Sequence, residues 1–162
     1  MKILVFSDTH GKTDKMYDII SKAKMTTDLV IHLGDNYKDV ESIRDMFPEC
    51  AFLGVCGNCD YTRDDRYPQS SHITLDGHTF FFTHGHMQSV KTHGFSLLIA
   101  QAKNAGASTA LFGHTHKGLI KEENGITLFN PGSLSQARDY SGGSYGVITV
   151  KDGKCKYEII KI

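Results

Sequence analysis

The chain has 162 residues, 40% of them apolar and 22% charged, and its 18 basic residues are balanced by 18 acidic ones. That length can bury a core without disulfide or metal staples, and the composition is ordinary for a soluble globular protein. A neutral balance without a basic stripe argues against a binder of long nucleic acid, and no apolar run approaches the roughly 18 residues that cross a bilayer.

In chain order, Lys2-Ile3-Leu4-Val5-Phe6 reads as a strand that runs straight into Ser7-Asp8-Thr9-His10. This opening is too short for a signal-peptide core, so a cytoplasmic location is expected. Met16, Ile19, Ile20 and Ala23 share one helix face, with Thr13 or Asp14 as the cap. Leu29–Leu33 is the next strand. Val40, Ile43, Met46 and Phe47 mark a second helix, stopped by Pro48. Cys50–Val55 is a third strand, and the polar, aperiodic stretch Tyr61–Ser71 reads as a surface loop. Strands Ile73–Leu75 and Thr79–Phe82 flank Asp76-Gly77, a two-residue hairpin signal. Phe95, Leu98, Ile99 and Ala102 give a third helix, which ends at Gly106. Strand Thr109–Phe112 follows, and the rest is strand: Leu119–Glu122, Ile126–Phe129, Val147–Val150 and Lys156–Ile160. Asn130-Pro131-Gly132-Ser133 breaks the chain and opens a Gly/Ser-rich loop through Gly143. One α/β (α+β) domain over residues 1–162 is expected, with two sheets packed face to face and helices outside.

Five polar clusters sit directly after apolar strands. They are Ser7-Asp8-Thr9-His10, Gly34-Asp35-Asn36, Cys56-Gly57-Asn58-Cys59-Asp60, Thr83-His84-Gly85-His86 and Gly113-His114-Thr115-His116. Sites of open α/β sheets lie beyond the carboxyl ends of the strands, so five such ends can converge on one crevice. An isolated Asp-x-His is usually a solvated turn, and a histidine after a strand is more often a hydrogen-bonding residue than a ligand. The conjunction carries the argument: five of nine histidines fall in these clusters. Of the others, His32 reads as a buried strand residue with a satisfied ring, and His72, His78 and His93 as solvent-facing.

Asp8 and His10, two apart, can reach the same side of an extended loop, and His114 and His116 repeat that spacing. Carboxylate oxygens with imidazole nitrogens suit Mn²⁺, Fe²⁺, Zn²⁺, Co²⁺ or Ni²⁺ better than Mg²⁺ or Ca²⁺. Asp35 is free to bridge two ions, Asn58 offers a neutral amide oxygen, and His84 completes the set. Two metals about 3.5–4 Å apart can share a hydroxide, lower its pKa and clamp a phosphoryl oxygen for in-line displacement. The four cysteines, Cys50, Cys56, Cys59 and Cys155, do not suggest a disulfide framework, and Cys56-x-x-Cys59 alone could be a redox pair or half a zinc site.

The ordered set D-x-H, G-D, G-N-x-D, H-G-H and G-H-x-H resembles the calcineurin-like metallophosphoesterase superfamily, in its small single-domain bacterial and archaeal phosphodiesterase branch. The resemblance implies a four-layer α-β-β-α sandwich of two mixed sheets flanked by helices. It also implies that Asp8, His10, Asp35 and His116 hold one metal and Asp35, Asn58, His84 and His114 a second. Asn130-Pro131-Gly132-Ser133 and Arg138 look like further family features near the site. Cys59 departs from the pattern, because many members carry a histidine there for transition-state stabilisation or leaving-group protonation. A thiol stays mostly protonated at neutral pH, and Asp60 beside it is expected to hold it so. His86 is therefore the candidate proton donor, with Cys59 either catalytic or a filler of the pocket wall. Arg63 and Arg66 could meet a substrate phosphate at the rim.

The leading expectation is a dinuclear phosphodiesterase, with Mn²⁺ first among its metals, acting on a small, soluble phosphodiester, nucleotide-derived ones included, by attack of a metal-bridging hydroxide. It expects no membrane partner and allows a homodimer or homotetramer. The rival is a retromer-subunit-like protein-interaction scaffold with vestigial activity, and the third reading is a thiol-redox or single-zinc protein using Cys56 and Cys59.

Overall fold

Strands that are apolar on both faces need cover on both, and this chain supplies it with two sheets between two helical layers. The structure is a computed structural model and describes residues 1–61, 64–138 and 142–162. Its elements run β1 (Lys2–Phe6), α1 (Thr13–Ala23), β2 (Leu29–His32), α2 (Lys38–Ile43), β3 (Ala51–Gly54), β4 (Ser70–Leu75) and β5 (His78–Thr83). They continue through α3 (Ser96–Asn104), β6 (Thr109–Leu111), β7 (Gly118–Glu123), β8 (Ile126–Pro131), β9 (Ser144–Lys151) and β10 (Lys154–Lys161). One sheet has the order β10-β9-β1-β2-β3 and the other β4-β5-β6-β8-β7. Both are mixed: the first is parallel over β1-β2-β3 and antiparallel over β9 and β10, and the second has a parallel centre, β5-β6-β8, between antiparallel edges β4 and β7.

Period-two alternation sorts the core into layers. Ile3, Val5, Leu29 and Ile31 point between the sheets, where they meet Phe80, Phe82, Leu111, Phe129, Ile148 and Val150. The intervening Leu4, Phe6 and Val30 point the other way, against Met16 and Ile20 of α1 and Val40 and Ile43 of α2. On the far side Phe81, Ala110, Phe112 and Leu128 pack under Leu98, Ile99 and Ala102 of α3. The expected four-layer α-β-β-α sandwich is therefore the observed fold. Among the described residues no helix is long and apolar enough to cross a membrane.

The parallel register places the site. Phe6 lies opposite His32 and His32 opposite Gly54, so β1, β2 and β3 stop at one level. In the second sheet Phe82, Leu111 and Phe129 are likewise in line. Loops leaving these ends start side by side.

Several local expectations need correcting. Lys12, not Thr13 or Asp14, precedes α1, and no side chain caps it. The second helix is α-helical only to Ile43 and tightens into a 3₁₀ turn over Arg44–Met46, which leaves Met46 61% exposed. Pro131 ends β8 instead of breaking the chain before it. It pairs with Gly118 beyond the last β6 partner, where its missing N–H is not needed. The hairpin arms run to Ser70 and Thr83, so part of the predicted polar loop is strand. His78 is half-buried, with Nε2 2.8 Å from Thr109 Oγ1 and its ring on Phe80, and does not face solvent.

Candidate metal centre

The five clusters do meet. Asp8, His10, Asp35 and His116 each bring one ligand atom within 4.8 Å of all the others. His84 adjoins them, with Nε2 3.4 Å from Asp35 Oδ1 and 3.2 Å from Asn58 Oδ1. His114 stands a step outside, its ring centroid 5.0 Å from that of His84 and its Nδ1 3.3 Å from Lys91 Nζ. His86 lines the same space, 5.3 Å from His84 and 6.2 Å from His114 between ring centroids.

Two histidines are aimed by their backs. His84 Nδ1 is 2.7 Å from the carbonyl oxygen of Leu33, and His116 Nδ1 is 2.9 Å from that of Gln136. A carbonyl only accepts, so both Nδ1 atoms donate, and in the neutral ring the lone pair belongs to Nε2. Those lone pairs point at carboxylate oxygens: His84 at Asp35, and His116 at Asp8 Oδ1 across 3.0 Å. Electron pair facing electron pair is repulsive unless a cation or a proton lies between them. Ligating histidines commonly show this outer hydrogen bond.

The remaining donors and acceptors fit the same reading. Asp8 Oδ2 accepts from Ser7 Oγ at 2.5 Å and from the His114 backbone N–H at 3.1 Å. Oδ1 lies close to His116 but receives no well-aligned hydrogen bond. Among the described residues, the buried side-chain polar atoms lacking a partner are Asp8 Oδ1, His10 Nε2 and His86 Nδ1, all at this centre. Each such atom costs on the order of 1–3 kcal/mol if nothing meets it. Hard oxygens and imidazole nitrogens are the donor set a divalent transition-metal ion takes.

Protonation follows from this geometry. Burial would push the His84 ring down, but the Asp35 hydrogen bond and the charges of Asp8 and Asp35 outweigh it and raise its pKa. Burial would push Asp35 up, yet His84 and the Cys59 backbone N–H hold its carboxyl below the usual range, and the imidazoles beside Asp8 act likewise. His114 falls to about 4 through burial and the charges of His84 and Lys91, and His86 is lowered by burial and His84. Burial and Asp35 drive the Cys59 thiol up to about 11.

Backbone conformation is bent to this end. Asp8, His10, Asp35, Asn36, His114 and His116 all have positive φ, between 45° and 86°. Outside glycine such left-handed residues are uncommon and cost on the order of 1 kcal/mol or more each. Gly34 and Gly57 let two of the loops touch, since a Cβ on Gly34 would lie 2.6 Å from Gly57 N and one on Gly57 would overlap Asp35.

Of the residues that hold the strained loops, Asn130, Ser133 and Arg138 were expected near the site, whereas Asp39 and the role of Asp60 escaped the sequence reading. Asp60 accepts four backbone N–H groups: Gly57 at 2.7 Å, Asn36 at 2.9 Å, Tyr37 at 3.0 Å and Asp35 at 3.1 Å. It is the staple between the second and third loops, and Asp35, not Asp60, is the charge that chiefly keeps Cys59 protonated. Asp39 takes Thr9 Oγ1 at 2.6 Å and the Gly11 N–H at 2.8 Å, while Thr9 also lies 3.0 Å from His32 Nε2. Ser133 Oγ holds the Asp8 carbonyl at 2.9 Å, and the Asn130 amide holds that of Gly113 at 2.8 Å. Arg138 is exposed, and its backbone N–H bonds the His116 carbonyl at 2.9 Å. Arg66 is committed to Glu41 and Asp64, each at 2.7 Å, and so is not a free rim cation. Arg63 lies outside the described residues.

Two outcomes follow. In metal-free protein the raised His84 stabilises the fold fully below its unfolded pKa of about 6.5 and loses that contribution as pH rises through the folded value. The depressed Asp8 and Asp35 contribute fully above about 3.9 and fade as pH falls. The lowered His114 and His86 act the other way and cost stability as pH falls below about 6.5, so in chelator the drop in thermal midpoint between pH 6.5 and 4 should be smaller for His114→Gln than for the wild type. Secondly, Asp60→Asn should weaken metal uptake about 10–100-fold by calorimetry although Asp60 faces only backbone.

Residues 1–153 match the family model of the calcineurin-like phosphoesterase superfamily domain. The probable metallophosphoesterase YsnB of Bacillus subtilis is 28% identical over 152 residues, covering 94% of this chain and 86% of that protein. Phosphodiesterase YfcE of Escherichia coli is 26% identical over 169 residues, covering 91% of this chain and 87% of that one. A crystal structure of a predicted phosphoesterase from Streptococcus pneumoniae superposes with a TM-score of 0.81 at 26% identity, covering 99% of this chain and 88% of that one. A match over nearly the whole length, on a fold that gathers the five clusters at one end, places the chain in the calcineurin-like phosphoesterase superfamily.

Proposed function

We propose that this chain is a dinuclear metal-dependent phosphodiesterase, acting through one domain over residues 1–162 on small soluble phosphodiesters. The observation that carries the reading is the pair of buried histidines, His84 and His116, whose Nδ1 atoms are bound to backbone carbonyls while Nε2 faces a carboxylate. Asp8, His10, Asp35 and His116 would hold one ion, and Asp35, Asn58, His84 and His114 the other, with Mn²⁺ the first choice of metal. Bound ions would supply Lewis-acid activation of a water and of a phosphoryl oxygen. The chain's own residues then decide the substrate. The thiol of Cys59, with its pKa near 11, stays protonated and donates only weakly. His86 has a partnerless buried Nδ1 and a lowered pKa, so it meets substrate as a neutral ring and hydrogen-bonds the departing oxygen. Such weak acids suit esters whose leaving groups need little protonation. The raised thiol pKa also disfavours a thiolate redox role for Cys59 in the metal-free protein.

Protein stripped with chelator and reloaded with Mn²⁺ should bind about two ions per chain and cleave an aryl phosphodiester faster than the matching monoester. One sulfur-bound zinc would favour the thiol reading, no metal the scaffold, and faster monoester cleavage a different substrate class. Asp35→Asn, touching both proposed ion sites, should cost more than the roughly hundredfold expected of an outer partner. His86→Ala should slow turnover by about 10²-fold or more, whereas Cys59→Ala should leave it within a few-fold. The reverse pattern would exchange their roles.

A further inference from the structure

We propose that Lys91 is a substrate-anchoring residue of this centre, a cation held at its mouth to grip the phosphoryl oxygens of an incoming phosphodiester. The inference rests on the phosphodiesterase reading above. Most exposed lysines end in water, but the ammonium of Lys91 lies 3.3 Å from Nδ1 of His114. An ammonium group has only donors, so His114 Nδ1 must accept, and its proton belongs to Nε2. His114 is thus set in the tautomer opposite to His84 and His116, with Nδ1 as its free lone pair. Lys91 and a metal ion would compete for that lone pair. An ion at His114 would release the ammonium without removing it from the mouth.

The backbone under Lys91 is built to keep it there. Val90 is 5% exposed and packs into the α3 layer. Its N–H bonds the carbonyl of Gly85, between His84 and His86, at 3.3 Å. Gln88 is tied to Gln101 of α3 at 2.7 Å and receives Thr83 Oγ1 at 3.2 Å. Ser89 adopts a left-handed φ of 53°, and its carbonyl accepts from Thr92 at 3.0 Å and His93 at 2.9 Å. A turn fixed at three points and strained at one carries a single cation toward the centre. Of the described residues, none gives Lys91 a carboxylate at ion-pair distance. The charges of Arg138, Asp8 and Asp35 all reach its ammonium. A cation within reach of two carboxylates but ion-paired to neither, held only by a neutral imidazole, has the placement an anionic substrate needs.

The test compares Lys91→Gln and Lys91→Arg with the wild type, all reloaded with Mn²⁺, using inorganic phosphate as the calorimetric probe and an aryl phosphodiester as substrate. Lys91→Gln should weaken phosphate binding about tenfold or more, as expected for a lost charge-assisted hydrogen bond. KM should rise in step while kcat changes less than about threefold, metal content should be unchanged, and Lys91→Arg should recover most of the loss. Unchanged phosphate affinity would overturn the proposal. So would a parallel fall in metal content, which would make Lys91 a positioning residue for His114. Wild-type protein that takes up no metal would sink the phosphodiesterase reading itself, and this one with it.

Discussion

Two backbone carbonyls, those of Leu33 and Gln136, govern the chemistry of this centre. By accepting from Nδ1 of His84 and His116 they fix which nitrogen carries the lone pair and where it points. Each lone pair then faces a carboxylate held by other donors: Asp35 by the Cys59 backbone, and Asp8 by Ser7 and His114. Left alone, such an arrangement must take up protons, which is why the His84 pKa rises although burial opposes it. With a cation present the repulsion becomes coordination.

Assembling this comes at a cost that the fold has to offset elsewhere. Six strained residues and three unmet polar atoms are concentrated at one end of the sandwich. They are over-determined by buried and part-buried hydrogen bonds from sequence-distant residues, with Asp60, Asp39, Asn130 and Ser133 each tying one loop to the next. Beneath them lies the layer of Ile3, Val5, Ile31, Phe80, Phe82, Leu111 and Phe129, buried from both sides. Strain at a site backed by a rigid core is retained because relaxing it would break those ties.

Much of this was legible in the sequence, and the boundary of legibility is physical. Strands with apolar faces on both sides, such as Lys2–Phe6 and Leu29–His32, announce themselves, and their parallel register brings the polar clusters level. Edge strands such as β7 and β10 alternate weakly against solvent, so their ends were underestimated. The capless start of α1 shows that a Thr or Asp near a helix start need not supply the cap. The candidate ligands were readable because each cluster follows a strand. Among their supports, Asn130, Ser133 and Arg138 were legible only through the family resemblance, and Asp39 and the role of Asp60 were not. A bond from Thr9 to Asp39, or from Asp35 to Asp60, spans 25 residues or more and leaves no periodic trace. Asp60 stood inside a visible motif, but its work is on backbone N–H groups that only the folded loops bring together.

Anomalous scattering from a manganese-loaded crystal addresses the central claim most directly. The account predicts two peaks on either side of Asp35, with His84 and His116 coordinating through Nε2 while their Nδ1 atoms keep the Leu33 and Gln136 carbonyls. A lone peak bound by Cys56 or Cys59 sulfur, or coordination by His84 through a flipped ring, would contradict it.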